Sequence, residues 1–215
     1  MSEFLAFLQI GFTHIVAVDA ADHILFLLVL AAIYRGRDWR AALVVISAFT
    51  VGHAVTLLLA ATNTLVLPSR LVEFLIPVTI VATGIENLVL RDRAASGHFA
   101  RHRPLFAVIF GLVHGAGFAG YLRSLFVDDI AIPLVGFNVG IELGQMVVLT
   151  AAAAAYLALD TAIGRVVLTR TPRSHASASS SQRSHGESLA FQWRLMSVSA
   201  VVSVIAAGWA CERLQ

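Results

Sequence analysis

The sequence predicts an all-α fold: a polytopic transmembrane bundle of about six spanning helices, with a short N-terminal interfacial or re-entrant helix, in one domain over residues 1–215. Three observations predict it. Hydrophobic residues make up 58% of the chain and charged residues 13%, and the mean hydropathy is +0.82. A water-exposed surface needs more charge than that, whereas a lipid-exposed one has to be apolar. Six apolar runs approach the roughly 20 helical residues that cross a bilayer. Finally, the arginines gather in alternate loops.

The elements follow in order. Residues 4–17 carry Phe4, Leu5, Phe7, Leu8, Ile10, Phe12 and Ile15, a run too short to span alone, hence the interfacial or re-entrant reading. A secretory signal fits poorly. There is no basic n-region, and the stretch continues into His14, Asp19, Asp22 and His23 in place of a small-residue cleavage site. Spans are expected at about 19–34, 40–61, 70–90, 104–125, 131–158 and 192–211. Pro68, Pro104 and Pro133 lie at or near helix starts, where proline is tolerated. Residues 171–188, rich in serine and including His175 and His185, read as a flexible cytoplasmic loop.

All 15 basic residues are arginine. Arg35, Arg37 and Arg40, then Arg91, Arg93, Arg101 and Arg103, then Arg165, Arg170, Arg173 and Arg183 mark one set of loops. The positive-inside rule makes these cytoplasmic and turns both ends of the six-helix core outward. With a formal net charge of +2 and no separate basic domain, nothing points to nucleic acid. The single cysteine, Cys211, excludes an internal disulfide and has no ligand spacing around it.

Ionisable groups inside a membrane helix are costly and need a partner, water or a function. Here they are His14, Asp19, Asp22, His23, His53, Glu73, Glu86, His114 and Glu142. His53 lies eight residues before Ala61, His114 eleven before Leu125, and Glu142 eleven after Ala131. At about 1.5 Å per residue these are similar depths, so His53, His114 and Glu142 are expected to meet in mid-membrane. Asp22, His23 and Glu73 fall nearer the outer mouth, and Glu86 and Asn87 near the opposite end. Asn138, Glu142 and Gln145 share one helix face that has to point inward. Thr50 and Thr56 are expected to bond their own backbone. Glycines in GLVHGAGFAG and GFNVGIELG allow close helix approach and leave a homo-oligomer open.

Imidazole and carboxylate donors suit a borderline divalent ion, nickel or zinc, as substrate or bound ion. Protonation near the unperturbed histidine pKa of about 6.5 would compete with it. The plainer alternative is that each histidine bonds a neighbouring helix. Three functions remain: a secondary transporter, an intramembrane zinc-dependent hydrolase, and a membrane accessory protein of a metalloenzyme. No P-loop or HExxH pattern occurs, which leaves a transporter without ATP coupling and a hydrolase without paired histidines on one helix.

Five stretches in order, GFTHIVAVDAADHILFLLVL, FTVGHAVTLLLA, LVEFLIPVTIVATGIENLVL, FGLVHGAGFAGYL and GFNVGIELGQ, resemble the HupE/UreJ family of bacterial membrane proteins. The resemblance runs from about Gly11 to Gln145. It implies a multi-pass protein of the bacterial inner membrane, a secondary permease for nickel, and a role for a histidine and an Asp-His pair that map to His14, Asp22 and His23. In the family's pattern a glycine stands where Ala20 stands here and the interval after the first histidine is shorter, which admits Asp19 as a substitute for or supplement to Asp22.

Overall fold

A computed structural model describes residues 2–35, 38–65, 67–90, 102–125, 130–170 and 179–214. Among them every regular element is helical: α1 Glu3–Val16, α2 Ala21–Ala31, α3 Trp39–Ala61, α4 Ser69–Leu90, α5 Arg103–Leu125, α6 Ala131–Arg170 and α7 Ser179–Glu212, with a 3-10 turn at Val18–Ala20. Helices α3 to α7 are each long and apolar enough to cross a membrane; α1 and α2 qualify only together, bent by 67°. Large apolar side chains such as Val51, Leu105, Leu157 and Val204 are exposed, as a lipid-facing surface requires. This is a multi-pass membrane protein.

The first span differs from the expectation. Residues 19–34 do not make a span of their own, because α2 has 11 residues, about 16 Å of helix against a hydrocarbon core of about 30 Å. Helix α1 supplies the rest. It runs parallel to α6: a Cβ on Gly136 would meet Phe4, one on Gly140 would meet Leu8, and one on Gly144 would meet Ile15. Helix α2 then reaches the far end, where the side chain of Asn87, near the end of α4, donates to the Val29 carbonyl at 2.7 Å. The pair is therefore one broken span. Ile15, Val16 and Val18 crowd the break with β-branched side chains that disfavour helix, and Ala17 is extended (φ −70°, ψ 147°).

Other boundaries have local causes. Helix α3 stops where Asn63 adopts a left-handed φ of 57°. The Asn63 and Thr64 amides donate back to the Ala60 and Leu59 carbonyls at 3.1 and 2.9 Å, which satisfies groups that a helix end leaves open. Inside α4, Pro77 lacks the N–H that would reach the carbonyl of Glu73. The Arg213 guanidinium takes that carbonyl instead, at 2.6 Å. Helix α6 continues well past 158. Residues 171–178 of the expected loop lie outside the described residues, as do the His175 and His185 side chains. From Ser179 onward the chain is already helical, so the connection is shorter than its serine content implies. Of the arginine-rich loops, residues 36–37 and 91–101 also lie outside.

The closest pairings are α3 with α5, α1 with α6 and α4 with α7, with α2 running between α4, α6 and α7. Glycine makes two of them. Cβ atoms on Gly52 and Gly111 would strike the Val108 and Phe49 carbonyls, and those on Gly11 and Gly140 the Phe137 and Leu8 carbonyls. The glycine faces that left assembly open are thus used inside the chain.

Candidate metal site

The break between α1 and α2 places three polar residues deep in the bundle. His14 comes from the last turn of α1, and Asp22 and His23 from the first turn of α2. Opposite them stand His53 on α3 and His114 on α5. The His14 and His23 rings are 4.6 Å apart by centroid, His23 and His114 5.1 Å, His14 and His53 6.1 Å, and His23 and His53 6.3 Å. Phe49, Phe118 and Phe137 wall the cluster.

Hydrogen bonds fix which nitrogens face inward. One Asp22 carboxylate oxygen accepts from the His23 backbone N–H at 2.8 Å and lies 3.0 Å from His23 Nδ1. With Nδ1 as the donor, Nε2 keeps a bare lone pair. Thr79 has a single hydroxyl proton, which goes to the Ile76 carbonyl at 2.7 Å. Toward His114 Nε2, at 3.0 Å, it is therefore the acceptor, and His114 Nδ1 is left bare. Both tautomers are assigned from the network.

What remains unpaired is specific. His14 Nε2, His23 Nε2, both nitrogens of His53 and His114 Nδ1 are buried without a hydrogen-bond partner. Leaving such a group unmet costs about 1–3 kcal/mol each. Two sets of donor atoms converge to within 4.8 Å of one another: His14, His23 and His53, and Asp22, His23 and His114. A cavity of about 490 Å³ reaches the cluster. Its walls include His14, Asp22, His23 and His114, and its rim carries Glu73, Tyr121 and Arg213.

The structure regroups the residues expected to act together. His53 and His114 both lie against His23, in separate donor groups with His14 and with Asp22, so Asp22 and His23 belong to the buried layer and not to a separate entrance. Glu142 is not among them. Its carboxylate accepts from the Ser47 hydroxyl, and it is Phe137 whose ring lies level with His53, 6.1 Å away. Five residues further along α6, Glu142 is about 7.5 Å deeper; matching positions by distance from helix ends missed this register.

The remaining polar residues scatter. Gln145 accepts from Thr50 at 2.9 Å, and Asn138 donates to its own helix at Leu134, 2.7 Å. Thr56 also crosses to the Leu112 carbonyl at 2.9 Å. Glu73 lines the cavity. Glu86 lies 3.3 Å from Arg103 at the opposite end of α4, and Asn87 bonds α2 there. The side chain of Asp19 lies outside the described residues.

Sequence reasoning missed Thr79, whose signal was a hydroxyl in the apolar stretch after Pro77, one helix away from any histidine. It also missed the aromatic walls, which read as ordinary core. No curated protein and no solved structure matches this sequence. A match to the family described as HupE / UreJ protein spans residues 1–213. The chain belongs to the HupE/UreJ family.

Proposed function

We propose that this protein is a secondary transporter of the bacterial inner membrane that carries a divalent transition-metal ion, with nickel the first ion to test and zinc the next. The ion is substrate, held by His14, Asp22, His23, His53 and His114. The observation that carries this reading is the convergence of unpartnered imidazole nitrogens on the break of a spanning helix. Water would satisfy isolated donors and acceptors. Several bare nitrogens aimed at one another, beside one carboxylate, form instead the borderline donor set that divalent ions prefer.

Discontinuous helices at mid-membrane are a recurrent way to build ion sites, because the break exposes backbone and side chains where transport needs them. Asp22 both orients His23 and supplies negative charge, which offsets the positive N-terminus of α2. Glu73 puts a carboxylate on the cavity wall, where the Arg213 guanidinium also stands.

The test is uptake into proteoliposomes that enclose a metal-sensing dye. Wild-type protein is expected to admit the ion, while His23→Ala and His114→Ala lose uptake and still elute as folded protein. Failure of the wild type to move nickel, zinc or cobalt would overturn the proposal. Chelator-sensitive amide or ester cleavage by the purified protein would favour the hydrolase reading instead.

A further inference from the structure

The end of the bundle opposite the cavity mouth holds a second set of buried polar groups that the metal site does not use, and all of it grips α2. The Tyr156 hydroxyl donates to the Leu28 carbonyl at 2.9 Å, and Asn87 donates to the Val29 carbonyl at 2.7 Å. Arg194, 4% exposed, reaches the Ala32 and Tyr34 carbonyls at 3.3 and 3.4 Å. Leu28 and Val29 lie in the last turn of α2, and Ala32 and Tyr34 just past its end; the Leu28 carbonyl also accepts from the Ala32 N–H at 3.1 Å, while carbonyls further on lack intrahelical partners. Three different spans, α4, α6 and α7, supply the donors.

Two of the three donors are themselves held. Asp160 accepts from Arg194 at 2.8 Å, and Arg103, 7% exposed, donates to Asn87 at 3.1 Å. Between this clamp and the histidines, Phe26 of α2 stacks on Phe49 at 4.9 Å and is 1% exposed. The same 11-residue helix thus carries His23 into the cavity, an apolar plug one turn below it, and a clamped end.

We infer that α2 is the moving gate of the protein, and that Arg194, Asn87 and Tyr156 are positioning residues that hold it closed at the arginine-rich end while the cavity is open at the other. A short half-helix fastened through hydrogen bonds to its terminal carbonyls can tilt as a unit once those bonds are exchanged. Tilting α2 would draw Phe26 off Phe49 and turn His23 away from the mouth. Access to one site from alternate sides is what a carrier requires.

The gate presupposes transport, but its test uses no metal. With Cys211→Ser as background, Thr13→Cys places one thiol in the cavity wall, and a membrane-impermeant maleimide is applied with chelator present. The parent is expected to react from the mouth side and to be protected in vesicles of opposite orientation. Tyr156→Phe removes one hydroxyl without changing shape, and labelling from the arginine-rich side should rise about five-fold, the shift expected from one lost hydrogen bond. Arg194→Gln should raise it further, with reaction from the mouth side reduced.

Equal labelling of the parent from both sides would overturn the gate. So would Tyr156→Phe protein that is folded and labels as the parent does. Labelling that shifts while proteoliposomes admit no ion would count against transport and not against the gate. Unchanged labelling beside working uptake would count against the gate alone.

Discussion

At the scale of residues, the cluster depends on partners that set two of its four rings. Asp22 holds His23 through Nδ1, and Thr79 holds His114 through Nε2. Loss of a group that orients a metal ligand typically weakens affinity 10–100-fold. Asp22→Asn should fall in that range or beyond it, since it also removes the one carboxylate of the cluster, while Thr79→Val should fall near the lower end; titration calorimetry on purified protein measures both. Protons and the ion compete for the same imidazole nitrogens, so binding should weaken as pH falls and tighten as it rises, the sign that ligand deprotonation demands. Binding that strengthens on acidification would exclude histidine ligation. The histidines were legible in the sequence because an ionisable group in an apolar run needs a reason to be there. Thr79 was not, because a hydroxyl can bond its own helix at little cost, and only the tertiary contact shows it bonding elsewhere.

Elements position these residues through close approach. A Cβ on Gly115 would stand 2.6 Å from the His53 carbonyl oxygen, whereas one on Gly120 of the same helix meets nothing within 4 Å. Gly115→Ala should therefore push α5 from α3 and cost about 1–3 kcal/mol, as overpacking does, with Gly120→Ala near neutral. Thermal unfolding in detergent distinguishes them, and equal effects would mean that contact with α3 is not what Gly115 provides. The same glycines showed in the sequence as small residues beside polar ones, but not which helix each would meet. The spans α3, α4 and α5 were readable to within a residue or so, since their apolar runs are bounded by arginine, proline, asparagine or aspartate. The interruption between residues 17 and 19 was readable as well, since Asp19, Asp22 and His23 break the apolar run; that the two halves make one bent span was not, since the bend depends on how α1 lies along the glycines of α6.

Across the whole molecule, the arginine alternation and the broken first span together set the topology. Phe4 lies beside Gly136 near the start of α6, and the far end of α2 is held beside Asn87, so the chain crosses once between residues 3 and 35. A re-entrant loop would return residue 3 to the side of Arg35; a broken span puts it on the opposite side. Five further crossings then bring Arg213 to the side of the N-terminus, where it donates to the Glu73 carbonyl at the cavity rim. Among the described residues, Arg35, Arg40, Arg103 and Arg165 fall on the other side, the side that the positive-inside rule would make cytoplasmic. Epitope tags at the two termini should thus both be accessible to antibody on intact spheroplasts, and a maleimide that cannot cross the membrane should label the exposed Cys211 from outside. An N-terminal tag reached only after permeabilisation, with the C-terminal tag reached before it, would make α1 and α2 a re-entrant pair and remove the crossing on which both the site and its gate are built.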